Sequence, residues 1–87
     1  MPYKVLLAKT AFKSYLKITG KLRTGVDRCF EDLANSPEHG SSIRKLTGFK
    51  DCFRYQIGGI RVLYEVHKDV NEVRIYAIRP RGDVYKH

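Results

Sequence analysis

The sequence predicts an α+β domain: an N-terminal strand, a two-helix antiparallel hairpin, and a mainly antiparallel β-sheet on which the helices pack. Three observations carry this. Apolar residues recur at three- and four-residue spacing between Lys9 and Leu33. After Gly40 the period changes to two. Gly58-Gly59 then stands between two alternating runs, the pattern of a tight hairpin whose favoured turn needs positive φ at both central residues.

Tyr3 to Leu7 begins with β-formers and alternates weakly, as a first strand does. From Lys9 to Ile18, Phe12 and Leu16 lie four apart, with Ala11, Tyr15 and Ile18 beside them, and Gly20 is placed to end the helix. In the second helix Leu22, Val26, Cys29, Phe30 and Leu33 share one face, while Arg23, Asp27, Arg28, Glu31 and Asp32 take the other. Asn35, Ser36 and Pro37 stop it. Ile43 to Leu46, Cys52 to Ile57, Ile60 to His67 and Val73 to Ile78 read as strands, with a turn at Lys68 to Asn71. A basic tail runs from Arg79 to His87. The expected core sets Phe12, Leu16, Leu22, Val26, Phe30 and Leu33 against Phe53, Tyr55, Val62, Tyr64 and Ile75.

The length, 87 residues, suits one domain spanning 1–87 with a modest core. Hydrophobic content of 43% argues for folding. No apolar run is long enough to cross a membrane and the start has no signal-peptide pattern, so a cytoplasmic protein is expected, without a membrane partner. Cys29 and Cys52 read as reduced small hydrophobes, and His39, His67 and His87 lack ligand spacing, so neither metal nor cofactor is expected. Seventeen Lys and Arg against nine Asp and Glu give a net charge of +8, which favours polyanionic partners.

A two-residue turn at Gly58-Gly59 sets the hairpin register. Ile57 faces Ile60, Tyr55 faces Val62 and Phe53 faces Tyr64, giving one apolar face with Val66. On the other face Gln56 meets Arg61, Arg54 meets Leu63 and Cys52 meets Glu65. Arg54 and Arg61 are therefore open, and Arg79, Arg81 and Tyr85 follow on the tail. Arginines with a nearby aromatic suit a phosphodiester and a stacked base.

The runs Lys45-Leu46-Thr47-Gly48, Asp51-Cys52-Phe53-Arg54 and Gly59-Ile60-Arg61-Val62-Leu63-Tyr64-Glu65-Val66, with the ending Arg79-Pro80-Arg81-Gly82-Asp83-Val84-Tyr85, resemble the RelE/ParE toxin superfamily and specifically its RelE branch. The resemblance covers essentially the whole chain. It implies a toxin of a type II toxin–antitoxin system, an mRNA interferase that cleaves messenger RNA in the ribosomal A site. Its partners would be the ribosome, mRNA and a neutralising cognate antitoxin. The chemistry implied is attack of a ribose 2′-hydroxyl on the adjacent phosphate.

By motif position Arg61 matches the strand arginine on the phosphate, Arg79 the tail arginine and Tyr85 the tail tyrosine, while Arg54 falls where some members carry a lysine. Lys45, Lys50, Gln56 and Arg81 are the expected further RNA contacts. The chain departs from the family in having Arg54 and Gln56 where well-studied members have two lysines. Neither side chain is a general base near neutrality. Lys45, Lys50, Tyr85 and Glu65 are the alternatives, although an ion pair with Arg54 or Arg61 is the expected role of Glu65. A site working by position and charge is a further alternative. Two rival functions share the fold: a ParE-like inhibitor of DNA gyrase, and a nucleic-acid-binding module that has lost catalysis.

Overall fold

The computed structural model describes residues 2–80. Strand β1 (Lys4–Leu7) leads into helices α1 (Lys9–Lys17) and α2 (Gly20–Asn35), followed by strands β2 (Ile43–Lys45), β3 (Cys52–Ile57), β4 (Ile60–His67) and β5 (Glu72–Pro80). The sheet order is β1-β5-β4-β3-β2. β1 runs parallel to β5, and the other pairings are antiparallel. The chain thus enters at one edge and begins β2 at the other, and the helix pair spans the sheet between them. The sequence-derived α+β architecture agrees with this, and so do the limits of β3 and β4. β5 runs on to Pro80, so Arg79, expected on the tail, is a strand residue.

The hairpin has the expected register, from Ile57↔Ile60 to Cys52↔Glu65. Its turn differs in one respect. Gly58 has φ of 47°, but Gly59 is not in the left-handed region. Only the first central residue needs glycine's freedom, as in a type II′ turn. Gly20 also differs: it opens α2 with φ of 64°, and Ile18 caps α1 instead.

Pairing between β4 and β5 is interrupted by a bulge. Tyr64 opposes Ile75 and Leu63 opposes Ala77, which leaves Tyr76 as the extra residue. Strict alternation from Val73 and Ile75 would send residues 77 and 79 toward the helices. The bulge resets the phase, so Ile78 is buried and Arg79 is exposed.

The core lies between the helices and one sheet face. Val26, Cys29 and Leu33 of α2 are fully buried, together with Val62, Tyr64, Val73 and Ile75 from the sheet. Tyr64 donates a buried hydrogen bond to the Pro37 carbonyl at 2.6 Å, tying β4 to the segment after α2. Tyr55 donates to Asp32 Oδ2 at 2.6 Å, joining β3 to α2. A Cβ at Gly25 would come within 3.0 Å of Ile57 Cγ2, so glycine is what lets α2 approach β3 this closely.

Three expected core residues are not there. Phe12, Leu16 and Leu22 are 47%, 56% and 46% exposed. In α1 the inward stripe is Ala11, Tyr15 and Ile18, at positions i, i+4 and i+7. Ala11 is fully buried, and its small side chain brings the helix close to the sheet. That choice rotates Phe12 and Leu16 outward. Leu22 lies four residues before Val26, but its turn overhangs an open 450 Å³ groove lined with Ile18, Ile60 and Ile78. Phe30 packs against the core, partly buried. Tyr15 clips the helices together: its ring lies 5.6 Å from Phe30, its hydroxyl donates to Asp27 at 2.7 Å, and Arg23 sits 3.8 Å over its face.

Candidate nucleic-acid interface

The sheet face turned away from the helices is read off in rows across neighbouring strands. Arg44, Arg54, Leu63 and Ala77 form one row. Gln56, Arg61 and Arg79 form the next. Opposite residues in an antiparallel pair share a face, so Arg44, Arg54, Arg61 and Arg79 project together around Leu63 and Ala77. Among the described residues none of these four arginines forms an ion pair; the pairs present are Arg23–Asp27, Lys68–Glu38 and Arg74–Glu72, with His67–Glu65 a fourth when the imidazole is protonated.

The other end of the face is neutralised. There Glu65 opposes both Cys52 and Arg74, and His67 opposes Glu72. His67 Nε2 lies 2.9 Å from Glu65 Oε1, and Arg74 donates twice to Glu72 Oε1 at 2.9 and 2.8 Å. Burial, then the Glu65 and Asp51 charges, push the Cys52 thiol up, which keeps it protonated and unreactive near neutrality. The face therefore divides into a cationic half toward the hairpin tip and a charge-balanced half away from it.

The sequence-expected site residues distribute as follows. Arg54, Gln56, Arg61 and Arg79 are brought together. Glu65 partners His67, in place of the expected ion pair with Arg54 or Arg61. It also lies four residues along β4 from Arg61, roughly 13 Å at strand rise. Lys45 opposes Phe53, a core residue, so the register sets it on the helix side of β2. Lys50 is exposed and borders a cleft with Asp51, Glu65 and His67, in the balanced half. Arg81 and Tyr85 lie outside the described residues.

Two residues of the face escaped the sequence reading. Arg44 joins it because Ile43 is buried, which turns the next residue of β2 to the open side. The alternation of Ile43 was a usable signal. Tyr76 is the bulge residue, 37% exposed. Its phenol is pushed up by burial, then by Cys52 and Glu65, while Arg79 draws it down. No alternation rule locates a bulge residue.

Chemically, the cationic half can hold phosphate oxygens with planar forks that remain charged at any physiological pH. It contains no carboxylate or imidazole among the described residues. No group of three or more His, Cys, Asp or Glu among the described residues could hold a metal ion.

Comparison with known proteins settles the family. The family model for the ParE toxin of type II toxin–antitoxin systems, parDE, matches residues 5–85. The chain belongs to this toxin family. No curated protein sequence matches it significantly. Its fold is that of RelE within the RelE/ParE superfamily. The toxin superposes on the archaeal RelE–RelB complex from Pyrococcus horikoshii with a TM-score of 0.82 at 24% identity, covering 94% of this chain and 98% of that one. An E. coli RelE toxin with two arginines changed to alanine, in the free state, gives 0.80 at 20% identity over 99% and 90%. The intact E. coli RelBE toxin–antitoxin complex gives 0.79 at 21% identity over 90% and 95%.

Proposed function

We propose that this toxin is a ribosome-dependent endoribonuclease that cleaves mRNA in the A site, inhibits translation and is neutralised by a cognate antitoxin. The observation that carries the reading is the arginine face: Arg61 and Arg79 directly opposite each other, with Arg54 and Arg44 alongside and no acidic partner among the described residues. Exposed like charges held together on rigid strands cost stability, and a phosphodiester is the natural counter-charge.

In this mechanism the 2′-oxygen attacks the adjacent phosphorus as its proton leaves, and the bond to the 5′-oxygen breaks. Arg61 and Arg79 hold the non-bridging oxygens, whose charge grows in the phosphorane. Arg54 and Gln56 orient the strand. Lys45, Lys50 and Glu65 all stand away from the arginines, which leaves Tyr85, on the tail, as the proton-handling candidate, or a site in which the ribosome completes the geometry. The working location is the cytoplasm, where ribosomes are; no helix among the described residues is long and apolar enough to cross a membrane.

The antitoxin has a suitable landing surface in the exposed Phe12, Leu16 and Leu22, and acidic antitoxin residues would meet the +8 charge. Two of the solved relatives, one from P. horikoshii and one from E. coli, are complexes of RelE with RelB.

A ParE-like inhibition of DNA gyrase is the second reading, favoured by the family model and by the lack of a proton acceptor among the arginines. In vitro translation with mapping of mRNA 5′ ends, beside a gyrase supercoiling assay, separates the two. New ends within codons on ribosome-engaged mRNA are expected, with supercoiling unaffected. Blocked supercoiling with intact mRNA would replace the first reading with the second.

A further inference from the structure

Beside the Arg61–Arg79 pair, at the open edge of the sheet, is a separate cleft of 310 Å³ lined by Ser41, Ser42, Arg44, Arg54 and Gln56. We propose that it is a subsite for a second RNA phosphate, one flanking the scissile phosphate on the same single strand. The proposal rests on the RNA reading above and adds to it a residue, Arg44, and a direction for the bound strand.

Arg44 and Arg54 are direct cross-strand partners on β2 and β3, the position where like charges repel most. Neither has an ion-pair partner among the described residues. The cleft between them adds two hydroxyls and an amide, which donate to phosphate oxygens without adding negative charge. β2 is an edge strand, so the cleft opens sideways and a chain can pass through. Arg44 lies two strand spacings across and one row along from Arg61, roughly 12 Å between backbones. Side chains projecting in parallel from those positions suit neighbouring phosphates of one strand. The strand would then run across the sheet from β5 over β4 and β3 to the β2 edge. Continuity with the Arg61–Arg79 row is what favours RNA over an acidic peptide, which would need only one of the two positions.

The test uses the purified chain and an uncleavable 2′-O-methyl RNA followed by fluorescence anisotropy across a salt series. Arg44→Ala should weaken binding at least about threefold and lower the salt slope by roughly 0.7, one phosphate contact on a single strand. Arg44→Lys should restore part of the affinity. Arg28→Ala, an exposed arginine on α2, controls for net charge. Replacing phosphates one at a time by neutral methylphosphonate should reveal one position, other than the scissile one, at which Arg44→Ala has no further effect.

Binding by Arg44→Ala equal to parent, or a loss matching Arg28→Ala without coupling to any methylphosphonate, would overturn the subsite. So would unchanged RNA binding with weakened antitoxin binding. If the coupling is found but the parent does not cut ribosome-engaged mRNA, the cleavage reading fails and the subsite stands. If the parent cuts and no coupling is found, the subsite alone falls. A parent chain that binds no RNA overturns both.

Discussion

Arg61 of β4 stands directly opposite Arg79 of β5, and it does so because the bulge takes Tyr76 out of the β5 register. Were β5 to run straight through Tyr76, Arg79 would fall in the phase of Val73 and Ile75, which are fully buried. Deleting Tyr76 removes the extra residue and brings Ile75 and Ala77 opposite Tyr64 and Leu63 in a regular ladder, so Ile78 should stay inward and Arg79 opposite Arg61. The variant should therefore keep cooperative unfolding by circular dichroism. Loss of cooperative unfolding would show that β5 needs Tyr76 for more than its register.

The same pairing should make the fold salt-sensitive. Like charges directly opposite on a sheet cost on the order of 0.2–1 kcal/mol. Arg79→Gln should stabilise the protein by about that amount at low ionic strength, and the gain should shrink as salt screens the parent. Urea unfolding of both proteins at two salt concentrations checks this. A less stable Arg79→Gln protein at low salt would mean that the arginines are compensated.

The helix phase gives a second contrast. Leu33 is fully buried and Leu16 is 56% exposed, though both sit at apolar positions of helical period. Leu33→Ala should cost about 2–5 kcal/mol. Leu16→Ala should change stability by no more than about 0.5 kcal/mol and weaken antitoxin binding instead. Chemical unfolding and titration with the cognate antitoxin separate the two effects.

The hairpin of β3 and β4 was legible to the residue, and β5 and the helix half less so. Gly58-Gly59 fixes which residues face each other, and a one-residue slip would bury Arg54 and Arg61, so one register survives. In α1 the two competing stripes are both apolar: Phe12 with Leu16, and Ala11 with Tyr15 and Ile18. Bulk favours the first on paper. Close packing on the sheet selects the second, because Ala11 admits the backbone where Phe12 would hold it off. In the site, Arg54, Gln56, Arg61 and Arg79 were legible from the hairpin and the family motif. Arg44 required the burial of Ile43, and Tyr76 required the bulge, which depends on how two strands end rather than on either strand alone.

Alkaline pH should unfold the toxin through its buried hydroxyls and thiol. Burial, then the hydrogen bond and charge of Asp32, push the Tyr55 phenol up to about 12 from 10.0. Burial also pushes up Tyr64 and the Cys29 thiol. The folded state then holds more protons than the unfolded state, so this contribution is complete below the ordinary thiol pKa of 9.0 and is lost as pH rises toward 12. Thermal unfolding should show a falling midpoint above about pH 10. Tyr55→Phe, which removes one of these groups and its bond to Asp32, should cost about 1 kcal/mol at neutral pH and flatten the alkaline limb. A parent midpoint constant to pH 11.5 would contradict this (an upper limit set roughly by the folded tyrosine values).

If Arg61 supplies charge to the scissile phosphate, ribosome-dependent mRNA cleavage by Arg61→Ala must show its loss. Arg61 lies on the half-buried open face, and its loss relieves repulsion with Arg79, so the variant should fold as well as the parent. Its cleavage rate should nevertheless fall by a hundredfold or more, a loss of about 3 kcal/mol in phosphorane stabilisation, with Arg61→Lys recovering only part. A folded Arg61→Ala protein that cuts mRNA at the parent rate would rule out this role for Arg61.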